Sequence, residues 1–418
     1  MRTVIIGGGL VGLSTAQALI ERGETVLVLE ARESVGLETS FANGGMLTPA
    51  LPEPWNSPGV FGHLLTSLFQ PRAAMKLRLR AIPSLLTWGT GFLLNSRKSR
   101  YLAATLDNHK LARYSLAKTL GISQRLNLRY DLSENGTLCI FQDAGHMDDR
   151  RQLGRLLEPH GLRMQELDVE QVIDKEPVLA PIRNKLAGGI WFPDDAHGDS
   201  HLFCQELATE IVRQGGEIRT GVSVSRLDAS RGRISGVVTS QEVIAAARVV
   251  VAAGSRSPAL LRSVGQAVAV KPAKGYSITL DASGLGKLPR CAVADDASHA
   301  VVTAFGSRLR ICGTAEFAGF DKGLTPERVD NIFHVFESVL PQLAAQADRG
   351  SVKAWAGLRP MSNDGRPFIG AGSVDGLFIN TGHGALGWTM AMGSANVVAD
   401  LICGVAPATE YRAFDPLR

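Results

Sequence analysis

An α/β fold of two interleaved domains is predicted by three observations in this 418-residue sequence. The chain opens with a β-branched run, a glycine-rich turn, a helical period and a second apolar run, all within thirty residues. Near its end another glycine-rich turn again joins a strand to a helix. Between them, two blocks of short alternating strands are separated by an apolar segment of the kind found at the centre of a parallel sheet. A chain of this length holds two domains with ample core.

Thr3-Val4-Ile5-Ile6 reads as a buried strand, and Leu10, Leu13, Ala16, Gln17 and Ile20 carry a helical period to Arg22 before Gly23 closes the helix. Thr25 to Leu29 is a second strand, ending at Glu30. Between strand and helix stands Gly7-Gly8-Gly9-Leu10-Val11-Gly12, a G-x-G-x-x-G with an acid eighteen residues beyond its last glycine. That context, rather than the spacing alone, marks a Rossmann-like dinucleotide site. Gly7 permits the tight turn, Gly9 lets backbone approach a pyrophosphate, and Gly12 lets the helix pack on the strand. The first helical N–H groups then face phosphate oxygens. Glu30 is expected to accept from the ribose hydroxyls, with Ala31 and Arg32 beside it.

Composition excludes several classes. Hydrophobic content of 45% and charged content of 20% describe a soluble globular protein, and a net charge of +4 does not imply nucleic acid. Cys139, Cys204, Cys291, Cys312 and Cys403 form no C-x-x-C, so reduced cysteines and no zinc or iron–sulfur site are expected. The chain enters its first strand at once, which points to a cytoplasmic protein without a signal peptide. The most apolar stretch, Ala81 to Leu94, contains Pro83, Gly89 and Gly91 and is too short to span a bilayer.

After Glu30, the run Glu38 to Pro49 is small, polar and glycine-paired, a loop whose backbone closely approaches a ligand; Thr39, Ser40, Asn43, Gly44, Gly45 and Met46 are its candidate contacts. Residues 54–106 carry no acid, yet hold Arg72, Lys76, Arg78, Arg80, Arg97, Lys98 and Arg100 among Phe61, Leu64, Leu65, Leu68, Phe69, Leu85, Leu86, Trp88, Phe92, Leu93 and Leu94. Such a segment either lies on an anionic membrane surface or packs as a basic subdomain on its own protein. Asp107 to Leu128 reads as a helix, Tyr130 to Phe141 as a hairpin turning at Glu134-Asn135-Gly136, and Asp148 to Leu157 as a charged helix. Asp194, Asp195, His197 and Asp199 tempt a metal reading, but Asx turns ahead of the helix from His201 to Gln214 account for them better. Val222 to Val224 and the hairpin-like Arg233 to Ala246 lead to Arg248-Val249-Val250-Val251-Ala252-Ala253-Gly254, a central strand passing beneath a nucleotide, with Val224, Ala253 and Gly254 as contacts. Strands Tyr276 to Leu280, Ala300 to Phe305 and Arg308 to Thr314, then a helix from Pro326 to Leu340, complete the second domain. The expected division is 1–50, 195–269 and 351–418 for nucleotide binding, with 51–194 and 270–350 for substrate.

At the C-terminal end, strands Phe368 to Gly370 and Leu377 to Asn380 lead into Thr381-Gly382-His383-Gly384-Ala385-Leu386-Gly387-Trp388-Thr389-Met390 and a final helix. Its N–H groups suit the pyrimidine edge of a flavin, whose reduced form is anionic. Together with Glu38-Thr39-Ser40, Ala42-Asn43, Lys274-Gly275-Tyr276-Ser277 and Gly357-Leu358-Arg359-Pro360-Met361, these motifs identify a resemblance over nearly the whole chain. It is similar to the flavoprotein family of glycine oxidase, sarcosine oxidase and D-amino acid oxidase, and within it to the bacterial D-amino acid dehydrogenases.

The resemblance implies non-covalent FAD in the Rossmann-like domain, a second substrate domain on a mostly antiparallel sheet, a D-amino acid substrate, and electrons passed to a membrane quinone or other respiratory acceptor. It implies that Arg359 holds the substrate carboxylate, since a guanidinium fork takes both oxygens. His383 matches a residue at the flavin's pyrimidine edge, and Tyr276 and Tyr130 are candidates for a phenol near the substrate. Gly357, Gly382, Gly384, Leu386, Gly387, Trp388 and Thr389 complete the expected cofactor contacts. Many relatives carry a hydroxyl where Ala385 stands, which brings D-proline or D-hydroxyproline forward as rival substrates. The same residues leave room for an oxygen-using oxidase, or for a non-catalytic flavin-bound subunit.

Overall fold

The computed structural model describes residues 2–62, 73 and 75–418. Leu64, Leu65, Leu68, Phe69 and Arg72 of the basic segment therefore lie outside the described residues.

The β-branched N-terminal run forms the strand Arg2–Ile6 at the centre of a six-stranded sheet. In order the strands are Phe368–Ala371, Leu377–Thr381, Arg248–Val251, Arg2–Ile6, Thr25–Leu29 and Glu217–Arg219, parallel except for the first. Burial on both faces explains their unbroken apolar character. One face packs on the first helix, Leu10–Ile20, the helix Ser200–Arg213 and the final helix, Gly387–Ile402, through Leu13, Leu19, Phe203, Leu207 and Met390. A small antiparallel sheet, Val224–Ser230, Arg233–Thr239 and Val243–Ala245, closes the opposite face with Leu227, Ile234 and Val237.

A second sheet is mostly antiparallel. Its order is Lys353–Ser362, Val270–Asp281, Arg308–Phe317, Ala300–Phe305, Ala292–Asp295, Thr137–Phe141, Gly188–Phe192 and Gln165–Leu167, with Met75–Leu77 added alongside Arg308–Phe317. The helix Pro326–Val339 covers one face, burying Ile332, Val335 and Phe336 against Ile278, Val302 and Ile311. The other face looks toward the nucleotide half of the molecule.

Several local expectations give way to long-range pairing. Tyr130 to Phe141 is not a hairpin: Thr137–Phe141 pairs with Gly188–Phe192 and Ala292–Asp295, while Ser133 bridges His197. The Asn-Gly turn signal is outcompeted because Thr137–Phe141 is buried along its whole length and must be flanked on both sides. The helix expected from Asp107 begins nine residues earlier and runs Lys98–Leu126, absorbing the end of the basic segment. Lys353–Ser362, expected with the nucleotide domain, is instead an edge strand of the large sheet.

Within the large sheet sits a buried charge cluster. Glu316 is fully buried, with Arg78 Nη2 at 2.6 Å and Lys274 Nζ at 3.2 Å. Burial pushes its carboxyl up, but the Tyr276 hydroxyl, Arg78 and Lys274 outweigh that and hold it below the usual range. Replacing Glu316 by Gln leaves the buried ammonium of Lys274 without its carboxylate. The expected loss is about 3–5 kcal/mol of stability, read as a fall in the midpoint of thermal unfolding; an unchanged midpoint would refute the pairing.

Candidate functional site

Between the two sheets lies a cavity of about 1520 Å³. Its floor begins at the first glycine-rich turn. A Cβ on Gly7 would sit 2.5 Å from the Ala252 carbonyl oxygen, and Gly7 holds φ at +115°, a region glycine alone adopts readily. A Cβ on Gly12 would sit 1.8 Å from the Gly7 carbonyl oxygen, so Gly12 serves helix–strand packing and does not line the cavity. Glu30 closes the far side of the turn: its carboxylate accepts from the Gly8 N–H at 2.6 Å and the Arg32 N–H at 2.8 Å. Ser40 Oγ accepts from the Leu10 N–H at 3.1 Å, and no side chain caps the helix from Gly9.

Of the cofactor contacts expected from sequence, the cavity is lined by Gly7, Gly9, Leu10, Val11, Glu30, Ala31, Arg32, Thr39, Ser40 and Asn43. Gly44, Gly45, Met46, Val224, Ala253, Gly254, His383, Gly384, Leu386, Gly387, Trp388 and Thr389 line it too. Gly357 and Gly382 stand behind it; a Cβ on Gly357 would strike the Trp355 ring at 2.1 Å. Thr389 Oγ1 accepts from the Thr48 N–H at 3.1 Å, joining the final helix to the loop after Met46. Trp388 Nε1 and Asn380 Oδ1 are buried without a hydrogen-bond partner among the described residues, although both residues line the cavity. Orphaned buried polar atoms call for a ligand or water. A glycine cradle, uncapped helix starts and orphaned polar atoms are what a dinucleotide flavin requires, so the residues fit the group.

Arg359 stands on the edge strand opposite Ala273 and extends across Gly275. A Cβ on Gly275 would lie 2.0 Å from Arg359 Nη1, so this glycine makes room for the guanidinium. Nη1 is shielded from solvent and has no partner among the described residues, and the ring of Trp55 lies 5.2 Å from Cζ. Burial pulls the guanidinium below its ordinary value, with Cys312 opposing; it stays charged at neutral pH. His383 is buried, its Nε2 lies 3.1 Å from Ser394 Oγ, and burial pushes its imidazole down to about 3. It is therefore neutral at physiological pH.

The two tyrosines are not brought to the cavity. Tyr276 donates to Glu316 Oε2 at 2.7 Å in the charge cluster. Tyr130 packs against Phe203 and Trp388 with its hydroxyl 2.7 Å from Ser123 Oγ. Both are core residues, placed by burial. Sequence reasoning missed Trp55, which the run of prolines at 52, 54 and 58 places on a stiff strap, and Glu53, Tyr101 and Arg150, which also line the cavity. Arg150 forms an ion pair with Glu53 that joins two distant parts of the chain. No spacing in the sequence signals it.

A family model described as "FAD dependent oxidoreductase" matches residues 2–401. A protein named D-amino acid dehydrogenase from Methylobacterium sp. (strain 4-46) is 37% identical over 99% of this chain and 98% of its own length. One of the same name from Vibrio cholerae serotype O1 (strain M66-2) is 36% identical over 96% and 95%. Among solved structures, glycine oxidase from Geobacillus kaustophilus superposes with a TM-score of 0.77 at 22% identity, covering 100% of this chain and 99% of that one, a likeness of fold.

Asp195 tethers the strap from behind. Its buried carboxylate accepts from Thr48 Oγ1 at 2.5 Å and the Ala50 N–H at 3.3 Å, and burial pushes it up to about 7. An acid raised in the folded state holds a proton that the unfolded chain has already released. Stability conferred below the ordinary carboxylate range is therefore lost as pH rises toward 7, and levels off above. Asp195→Asn should flatten that decline: between pH 5 and 8 the unfolding midpoint of the parent falls more than that of the variant. Parallel profiles would show that Asp195 is ionised throughout.

Proposed function

Because the chain belongs to the FAD-dependent oxidoreductase family, we propose that it oxidises D-amino acids to 2-oxo acids and ammonium, delivering the electrons to a respiratory acceptor at the membrane. The names carried by relatives near 37% identity support the substrate class. The observation that carries the reading is a half-buried cation without an anion among the described residues: Arg359, with Nη1 shielded and unpartnered, lying across Gly275 near the Trp55 ring. A carboxylate is the ligand that satisfies a guanidinium fork.

FAD, when bound, would supply the two-electron acceptor for the hydrogen on the substrate Cα. The protein's part is placement. Arg359 fixes the carboxylate, Trp55 stacks against the guanidinium and limits its rotation, and the two sheets exclude water from the reacting bond. Neutral His383 adds no charge that would repel the substrate ammonium or attract its carboxylate away from Arg359. The substrate loses hydride from Cα and a proton from nitrogen, and the imino acid is hydrolysed in water. Ala385, which lines the cavity with a bare methyl, supports a second reading in which the substrate is cyclic, D-proline or D-hydroxyproline. Anaerobic bleaching of the flavin by D-alanine and D-proline, followed by admission of air, ranks the substrates and separates a dehydrogenase from an oxidase.

Removing Arg359 leaves the substrate carboxylate unpaired. Arg359→Ala should cost about 3–5 kcal/mol of transition-state binding, or two to four orders of magnitude in kcat/KM, and Arg359→Lys should recover part of it. Flavin content should stay at the parent level in both. Full activity of Arg359→Ala with flavin bound would place the carboxylate elsewhere.

The basic segment divides. Arg78 and Arg80 are paired with Glu316 and Asp321 of their own protein. Trp88 and Phe92 pack into the protein against Phe317 and Met361, whereas Arg97, Lys98 and Arg100 stay exposed, as do Phe61, Leu86 and Leu94 of the same segment, which are 55%, 62% and 51% accessible. No helix among the described residues is long and apolar enough to cross a membrane. This exposed basic and apolar face supports docking on an anionic bilayer, where each cation contributes about 1 kcal/mol. Sedimentation with anionic vesicles should fall as salt is raised, and neutral vesicles should recover little protein. Equal recovery from both would assign the segment to packing alone.

A further inference from the structure

The two ends of the cavity differ in chemistry. The large sheet roofs it. Cys312, Val301, Ala294 and Cys139 are cross-strand neighbours in register and all four line the cavity. This row starts beside Arg359 and ends three strand steps away, roughly 14 Å at the usual strand spacing. Phe141 and Arg150 lie beyond it. An amino acid whose carboxylate is held at Arg359 does not reach that far.

Leu51, Cys139, Phe141 and Ala294 form apolar walls at the far end, with Tyr101 at its side and Asp295 and Asp296 next after Ala294 in the lining. Arg150 pairs there through Nη1 with Glu53, and Asp296 lies close enough to act on its charge. Among the described residues the other guanidinium nitrogens of Arg150 make no hydrogen bond, which leaves N–H donors for a neutral acceptor. Tyr101 belongs to the first turn of the helix Lys98–Leu126, where Lys98 and Arg100 are exposed, a few residues after exposed Leu94. This end of the cavity thus lies next to the basic and apolar face.

We propose that the far end is the docking site of the second substrate, a flat, apolar, carbonyl-bearing acceptor with the chemistry of a quinone headgroup. Walls of apolar side chains accept the ring, and Arg150 donates to a carbonyl oxygen. In the step, the quinone gains two electrons and two protons, both carbonyls becoming hydroxyls. The anionic reduced flavin gives up the two electrons and one proton and returns to its oxidised form, and the second proton comes from water. This assignment rests on the flavin-dehydrogenase reading above and adds to it a place separate from the carboxylate site.

The test is Ala294→Trp, which fills the far end without touching Arg359 or the glycine-rich turns. Holoenzyme is reduced anaerobically, once by D-alanine and once by dithionite, then mixed with a benzoquinone bearing one isoprenyl unit. Reoxidation by the quinone should slow at least tenfold in the variant. Bleaching by D-alanine should stay within twofold of the parent, as should reoxidation by ferricyanide, which needs no apolar pocket. Titrating the oxidised protein with the same quinone should quench its fluorescence with an affinity weakened to match. Unchanged quinone reoxidation overturns the proposal. Equal slowing of bleaching and reoxidation overturns it too, making the far end an approach for the amino acid. If no amino acid bleaches the parent, the functional reading fails instead, and the dithionite arm still decides the acceptor site. Should the tryptophan expel the flavin, Ala294→Leu carries the same comparison.

Discussion

The site is organised around one half-buried guanidinium that has no anion of its own among the described residues. Arg359 projects from an edge strand across Gly275, and any side chain there would displace it. Trp55 stacks on its face, from a strap held at one end by Asp195 and in the middle by Asn108, which donates to the Pro52 carbonyl at 3.1 Å. A desolvated cation is costly, and a stacked aromatic ring offsets only a small part of that cost. The remainder is available to whatever carboxylate arrives. On the proposed role of Arg359, binding energy is concentrated on the one group that every amino acid carries, leaving the rest of the cavity to sort substrates by shape.

The opposite treatment is given to other buried charges. Glu316 is surrounded by cations and a tyrosine hydroxyl, and Arg150 is matched with Glu53. These pairs tie the insertion around residue 78 and the helix Ala144–Leu157 to the body of the protein. Both Glu316 and Arg150 meet an opposite charge, whereas Arg359 Nη1 meets no partner among the described residues, which marks it as a candidate for function.

What the sequence disclosed follows from locality. The strand–turn–helix at the N-terminus is specified by residues within thirty positions of each other; Gly7 makes the tight turn and Gly12 the close helix–strand packing that their spacing implies, while Glu30 accepts from the Gly8 and Arg32 N–H groups. The final helix and its glycine-rich entry are local in the same way. Tyr130 and Tyr276 misled because an aromatic hydroxyl near a motif looks alike whether it faces a ligand or the core; only packing against Phe203 or hydrogen bonding to Glu316 decides it. The hairpin expected at Asn135-Gly136 failed for a related reason. Turn chemistry is worth little against burying both edges of Thr137–Phe141 in the middle of a sheet. Gly275 was visible as a residue, but its purpose depends on a guanidinium eighty-four positions later in the chain.

The order in which strands occur along the chain has a consequence for how the protein is made. Arg2–Ile6 leaves the ribosome well before its sheet neighbour Arg248–Val251, whose own outer neighbour is Leu377–Thr381. At about 5–20 residues per second, the first strand waits roughly 20–75 s of synthesis before the sheet that surrounds it can close. Through that interval a β-branched segment with open edges is exposed, the kind of segment that chaperones shield. Flavin insertion is necessarily late as well, since its cradle is completed by residues near the C-terminal end. A truncated message would yield no partly working enzyme, only chain for degradation.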